Sequence, residues 1–189
     1  MAIETAEDLF LDELKDIYSA EKQAIRVYPR LAKAVSSDEL KQALKTHLEE
    51  TKGQVERLDR VFEILEKRAG GKTCEGMKGL IEEGSEMAEE VEAGPVRDVA
   101  LIAAAQRMEH YEIAAYGTIV TLAKEMGQTE IADLLGQTLA EEKSTDEKLT
   151  EVANTVNKEA LAAGGEEDDE DEAPAPKKSA SKKSSKNKK

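Results

Sequence analysis

Cysteine occurs once in the 189-residue chain, at position 74, and tryptophan is absent. A lone thiol excludes an internal disulfide and a cysteine-rich zinc site. Aromatic residues make up only 3%, too few for the aromatic and β-branched core of a sheet protein. No apolar run approaches the roughly 20 residues needed to cross a bilayer. The first ten residues, MAIETAEDLF, lack the basic start and apolar stretch of a secretory leader. The expectation is a soluble, cytoplasmic protein with no membrane partner.

Positive charge is also scarce. Against 41 acids stand 27 lysines and arginines, a formal net charge of −14. The seven acids of residues 166–172 are cancelled by seven lysines after Pro176, so the rest of the chain carries the whole deficit. A body this acidic repels nucleic acid and anionic membranes over most of its surface. Nucleic acid is expected only through the Lys-rich tail, where lysine runs can meet phosphates.

What the chain does have is 39% hydrophobic and 36% charged residues, the balance of long amphipathic helices. The length suits one domain. Apolar residues at helical spacing predict a first helix over 5–35, capped by Thr5 with Asp8 and interrupted by Pro29. A second runs to about Arg68 from a Ser36–Glu39 capping box. A shorter third covers about 73–92, a fourth about 95–126, and a fifth starts near Thr129 and fades around Lys158. The expected organisation is a bundle over residues 1–163, then a disordered acidic and Lys/Ser-rich tail over 164–189. A short helix between the second and third long ones suits the single crossover of a ferritin-like four-helix bundle. The fold class expected is therefore all-α.

Each long helix carries acids inside its own apolar stripe. Glu21 sits in register with Leu14, Ile17, Ala24 and Tyr28. The second stripe is interrupted by His47, Glu50 and Gln54, the fourth helix by Glu109 and Glu112, and the fifth by Glu142 and Asp146. The pairs His47/Glu50 and Glu109/Glu112 are spaced i, i+3, and Glu142/Asp146 i, i+4, so each pair shares a helix face. Burying an unpaired carboxylate costs several kcal/mol, and these faces hold few basic residues. Protonation, exposure to solvent or bound cations would resolve the cost. Two divalent metal ions would neutralise four carboxylates and suit an oxygen-plus-imidazole ligand set.

Other features read as structural. His110 lies about 160° around the helix from Glu112 and is expected at a surface or interface. Cys74 is expected to be a buried or incidental thiol, and Tyr18, Tyr28 and Tyr116 core residues. Gly53, Gly117 and Gly136 are expected to mark close helix contacts. Glu49 and Glu141, each one residue from a candidate ligand, are expected to be ordinary solvated acids.

Four segments, LFLDELKDIYSAEKQ, HLEETKGQVERLDRVFE, ALIAAAQRMEHYEIAAYGT and TLAEEKSTDEKLTEVA, resemble the YciF stress-protein family of ferritin-like proteins. The similarity covers about residues 5–158. It implies a rubrerythrin-like bundle, a di-iron or other dimetal centre, a homodimer and a bacterial stress-associated role. Carried onto this chain, the family site would use Glu21, His47, Glu50, Glu109, Glu112 and Glu142. Iron is the metal implied, with manganese or zinc as alternatives. The wider ferritin-like pattern has Glu-x-x-His on two helices. Here the second helix reads His47-x-x-Glu50, and the last has Thr145 and Asp146 but no histidine. The function expected is a dimetal protein reacting with oxygen or peroxide. The alternative is a non-catalytic scaffold for dimerisation or interaction, or a nucleic-acid-associated protein acting through its tail.

Overall fold

A computed structural model describes residues 3–165. The tail expected from 164 lies, from residue 166 on, outside the described residues. Those described form five helices and no strand: α1 (Ala6–Ala34), α2 (Asp38–Ile64), α3 (Glu75–Glu90), α4 (Pro95–Glu125) and α5 (Thr129–Gly165). No helix among them is long and apolar enough to cross a membrane.

The local signals set most boundaries. Thr5 and Asp8 exchange reciprocal hydrogen bonds at the start of α1, and the helix continues through Pro29. The α2 cap is Ser37, one residue later than expected, with its hydroxyl accepting from the Leu40 amide. The turn before it is held by a residue far along the chain. The N–H groups of Ser36 and Ser37 donate to the buried Asp98 carboxylate at 2.8 and 2.7 Å. Asp98, on α4, thus pins the α1–α2 turn to the end of the bundle. The helix α5 extends beyond the expected end near Lys158. Its last buried residue is Val156, and the Ala-rich stretch beyond it continues on helix propensity alone.

The hydrogen bonds across the bundle fix its direction. Tyr28 pairs with Glu109, and Ser36 and Ser37 with Asp98, so α1 and α4 are antiparallel. Arg57 pairs with Glu141, and His47 with Thr145, so α2 and α5 are antiparallel. With short turns joining α1 to α2 and α4 to α5, α2 and α4 must run parallel. The chain therefore has to travel the length of the bundle between them, and α3 lies on that connection. A single long crossover is the ferritin-like connectivity.

Leu14, Ile17, Leu58, Met108, Ile119, Leu135 and Leu149 are among the fully buried core side chains. Cys74 is buried and caps α3, its sulfur accepting from the Met77 amide at 3.3 Å. The glycine expectation fails. A methyl at Gly53, Gly117 or Gly136 would meet nothing within 4 Å. The close approaches are elsewhere: at Gly84 a Cβ would lie 3.1 Å from that of Ala104, and at Gly76 2.8 Å from the Tyr111 ring. Tight packing here belongs to α3, where glycine lets the crossover lie against α4.

Candidate metal centre

Halfway along the bundle, the polar interruptions of the four long helices meet. His47, Glu109, Glu112 and Glu142 each place one ligand atom within 4.8 Å of the others. All are at most 3% exposed, and Glu21 beside them is 0% exposed. Metal–ligand bonds of about 2.0–2.2 Å separate ligand atoms around one ion by roughly 3–4.3 Å. The cluster is therefore within about half an ångström of that spacing.

Most of these carboxylates are held by one oxygen and free at the other. Glu109 Oε1 accepts from the Tyr28 hydroxyl at 2.9 Å, and Glu21 Oε1 accepts from the Tyr116 hydroxyl at 2.6 Å. Glu142 Oε1 accepts from the Gln54 amide. The second oxygens, Glu21 Oε2, Glu109 Oε2 and Glu142 Oε2, are buried with no hydrogen-bond partner, as is Glu112 Oε1. Native proteins leave few such atoms unpartnered.

The tyrosine bonds form a reciprocal pair. On α1 a tyrosine follows Glu21 by seven residues, and on α4 a tyrosine follows Glu109 by seven. Each tyrosine serves the other helix's glutamate. Tyr28 and Tyr116 were expected in the core and are there, but their hydroxyls also orient two of the acids.

His47 presents its two nitrogens to different surroundings. Nε2 lies 3.2 Å from Glu109 and 3.8 Å from Glu142 inside the cluster. Nδ1 faces outward, 3.0 Å from Thr145 Oγ1 and 3.4 Å from Glu50. Burial disfavours its cation, but Glu109, Glu50 and Glu142 outweigh burial and hold it protonated well above the usual 6.5. Burial, then mutual repulsion, raises the acids. Glu21 is pushed up to about 7, and Glu112 and Glu142 are raised well above 4.5. Without a cation the cluster thus retains protons. A metal ion would displace them, as metal binding to such ligands generally does.

Two sequence-derived candidates stand apart. The Glu50 side chain is 42% exposed and approaches only the outer nitrogen of His47. Asp146 is turned to the α4–α5 flank, where it accepts from Gln106 at 3.0 Å and lies 3.2 Å from His110. That contact also places His110 at the surface, as expected. Glu141 is not an ordinary solvated acid. It accepts two bonds from Arg57 at 2.8 and 3.0 Å and one from Gln54 at 3.2 Å. Gln54 is fully buried and ties Glu142 to this ion pair. Its position in the apolar stripe was visible in the sequence; its role was not.

Comparison with known proteins accounts for this architecture. A family model described as a domain of unknown function, DUF892, matches residues 5–162. The chain belongs to this family. Protein YciF of Escherichia coli K12 is 52% identical over 162 residues, covering 85% of this chain and 98% of that protein. The crystal structure of the E. coli stress protein YciF superposes with a TM-score of 0.80 at 50% identity, covering 82% of this chain and 99% of that one. YcfI of Rhodopseudomonas palustris gives 0.77 at 44% identity, covering 78% and 94%. A Xanthomonas campestris protein, 22% identical, gives 0.69 over 85% of this chain and 99% of its own, and shares the fold. The YciF-type resemblance of the four helical segments is thereby confirmed.

Proposed function

We propose that the cluster is a divalent-metal centre, holding two ions and suited to iron, in a cytoplasmic, homodimeric stress protein. One observation carries this reading. Four buried carboxylate oxygens from three helices have no hydrogen-bond partner, and no lysine or arginine is paired with these acids among the described residues. Metal ions would supply the missing partners.

His47, Glu109, Glu112 and Glu142 would hold the first ion, with Glu21 and its glutamate neighbours holding the second. Bound iron would supply electron-transfer chemistry toward oxygen or peroxide. The chain's own residues prepare the site. Tyr28, Tyr116 and Gln54 each donate to one carboxylate oxygen and leave the other free to bind. Packing from four helices excludes water. Both phenols stay protonated, because burial and the adjoining acids raise them well above 10. The E. coli relative is described as a stress protein, and we extend that role to this chain.

The test is elemental analysis of full-length protein purified without chelator. About two divalent ions per chain are expected, lost on Glu142→Gln or Glu109→Gln but retained on Glu49→Ala. Protein that holds no metal and takes up none from added Fe²⁺ or Mn²⁺ overturns the reading and favours the non-catalytic scaffold.

A further inference from the structure

A groove of about 320 Å³ runs between α2 and α5 and ends on His47. Glu39 and Glu50 stand on its α2 side, Ser144, Thr145 and Lys148 on its α5 side. His47 is thus shared. Nε2 belongs to the buried cluster, while Nδ1 meets Thr145 and Glu50 on the groove side. The His47 ring stands between the groove and the buried carboxylates of Glu109 and Glu142.

We infer that this groove is the route by which divalent cations reach the buried cluster, an inference that rests on the metal-centre reading. Size permits it. At about 30 Å³ per water, the groove holds roughly ten water molecules, enough for an ion that has kept its hydration shell. Charge favours it. Glu39 and Glu50 add negative charge, the one lysine on the lining, Lys148, is paired with Glu151 at 3.3 Å, and His47 at the inner end is charge-balanced by Glu109 and Glu50. At the inner end two oxygen ligands, the Glu50 carboxylate and the Thr145 hydroxyl, both stand beside His47 Nδ1.

A second groove of about 440 Å³ lies between α1 and α2 and touches Tyr28. It is the rival route, and its charge is wrong. Lys33, Lys41 and Lys45 line it, of which Lys41 is paired with Asp38 at 3.3 Å, no acid stands on the lining, and its floor is apolar. Cations approaching there are repelled, and the buried Tyr28 ring closes it from the glutamates. Glu50 thereby acquires a role that its outward position suits. It receives the ion at the inner end of the groove, beside His47.

The experiment follows Co²⁺ uptake by its visible absorption in the full-length, metal-stripped protein. Both the rate and the final stoichiometry are read. Ser144→Phe, or Thr46→Phe from the opposite wall, should plug the groove, slowing uptake about tenfold or more without changing the endpoint. Glu39→Lys should slow it about tenfold at low salt, with the difference vanishing as salt is raised. Lys33→Phe, in the other groove, should change neither. If both plugged variants and Glu39→Lys take up Co²⁺ at the native rate, the route is wrong. It is equally wrong if Lys33→Phe is the variant that slows uptake. A plugged variant that loses stoichiometry instead of speed also counts against it, because the residue then acts on the site itself. If native protein binds no Co²⁺ at all, the metal centre falls first and the route with it.

Discussion

Replacing Glu21 by its neutral isostere isolates what burial of one acid costs the metal-free protein. Burial raises this carboxyl from 4.5 to about 7; Tyr116 and His47 oppose the rise, and Glu109 and Glu141 add to it. A carboxyl raised in the folded state contributes stability that is fully present below its unfolded value. That contribution is lost as the pH climbs through the folded value, here between 4.5 and about 7. Glu112 and Glu142 are raised too and steepen the same slope, and His47, raised well above 6.5, adds to the loss only above that value. Asp16 is lowered and has the opposite sign, but its contribution is complete above its usual 3.8 and flat across this window. At about 1.4 kcal/mol per pH unit, the Glu21 displacement corresponds to about 3 kcal/mol. Glu21→Gln removes the titration and keeps an acceptor for Tyr116. In chelator, urea unfolding should find variant and native protein nearly equal near pH 4.5. Near pH 8 the variant should be more stable by about 3 kcal/mol. A variant that tracks the native curve at every pH would refute the buried, crowded acid.

Metal should reverse that loss. At neutral pH, Fe²⁺ or Mn²⁺ at a hundredfold excess over its dissociation constant should stabilise the native protein by about 2.7 kcal/mol, read as a rise in melting temperature; no rise would count against an occupied site. Gly53→Ala, Gly117→Ala and Gly136→Ala each fall in open space and should stabilise by up to about 1 kcal/mol. Gly84→Ala, pressed on Ala104, should gain less or destabilise, and equal gains at all four would contradict the packing. Asp98→Ala leaves two backbone N–H groups without their acceptor and should cost about 2 kcal/mol, with Asp98→Asn recovering part of it in the same urea titration. Glu141→Ala releases Arg57 and Gln54 and should weaken metal binding, whereas Glu49→Ala, paired only with Lys52 at the surface, should not; equal affinities would show that Gln54 does not orient Glu142.

The helices were legible because their signals are local. Thr5 with Asp8, Gly94 with Pro95 and Gly127 each punctuate an apolar stripe, and the structure starts or stops helices beside each. Errors arose where a distant residue intervened. Nothing near Ser36 announces that Asp98, more than sixty positions away, takes its amide and that of Ser37 and so fixes the turn from which the helix starts. The glycines misled for a related reason. Glycine inside a helix signals either close packing or mere tolerance, and only the neighbouring helix decides which.

At the candidate metal centre, helical angle tells more about burial than residue type does. On an ideal helix Gln54, seven residues after His47, lies within about 20° of its meridian, whereas Glu50, three residues after, lies about 60° away. The structure follows the angles: Gln54 is buried against Glu142 and Glu50 faces the groove. An acid attracts attention as a ligand and an amide does not, but the angles separate the buried position from the half-exposed one. The same seven-residue step joins Glu21 to Tyr28 and Glu109 to Tyr116, placing each tyrosine two turns beyond an acid on nearly the same line. In an antiparallel helix pair such spacing must bring each tyrosine beside the other helix's acid. The recurrence was readable in one dimension. Its meaning required knowing that α1 and α4 are antiparallel neighbours, which the contacts of Tyr28 with Glu109 and of Ser36 with Asp98 show and no local signal does.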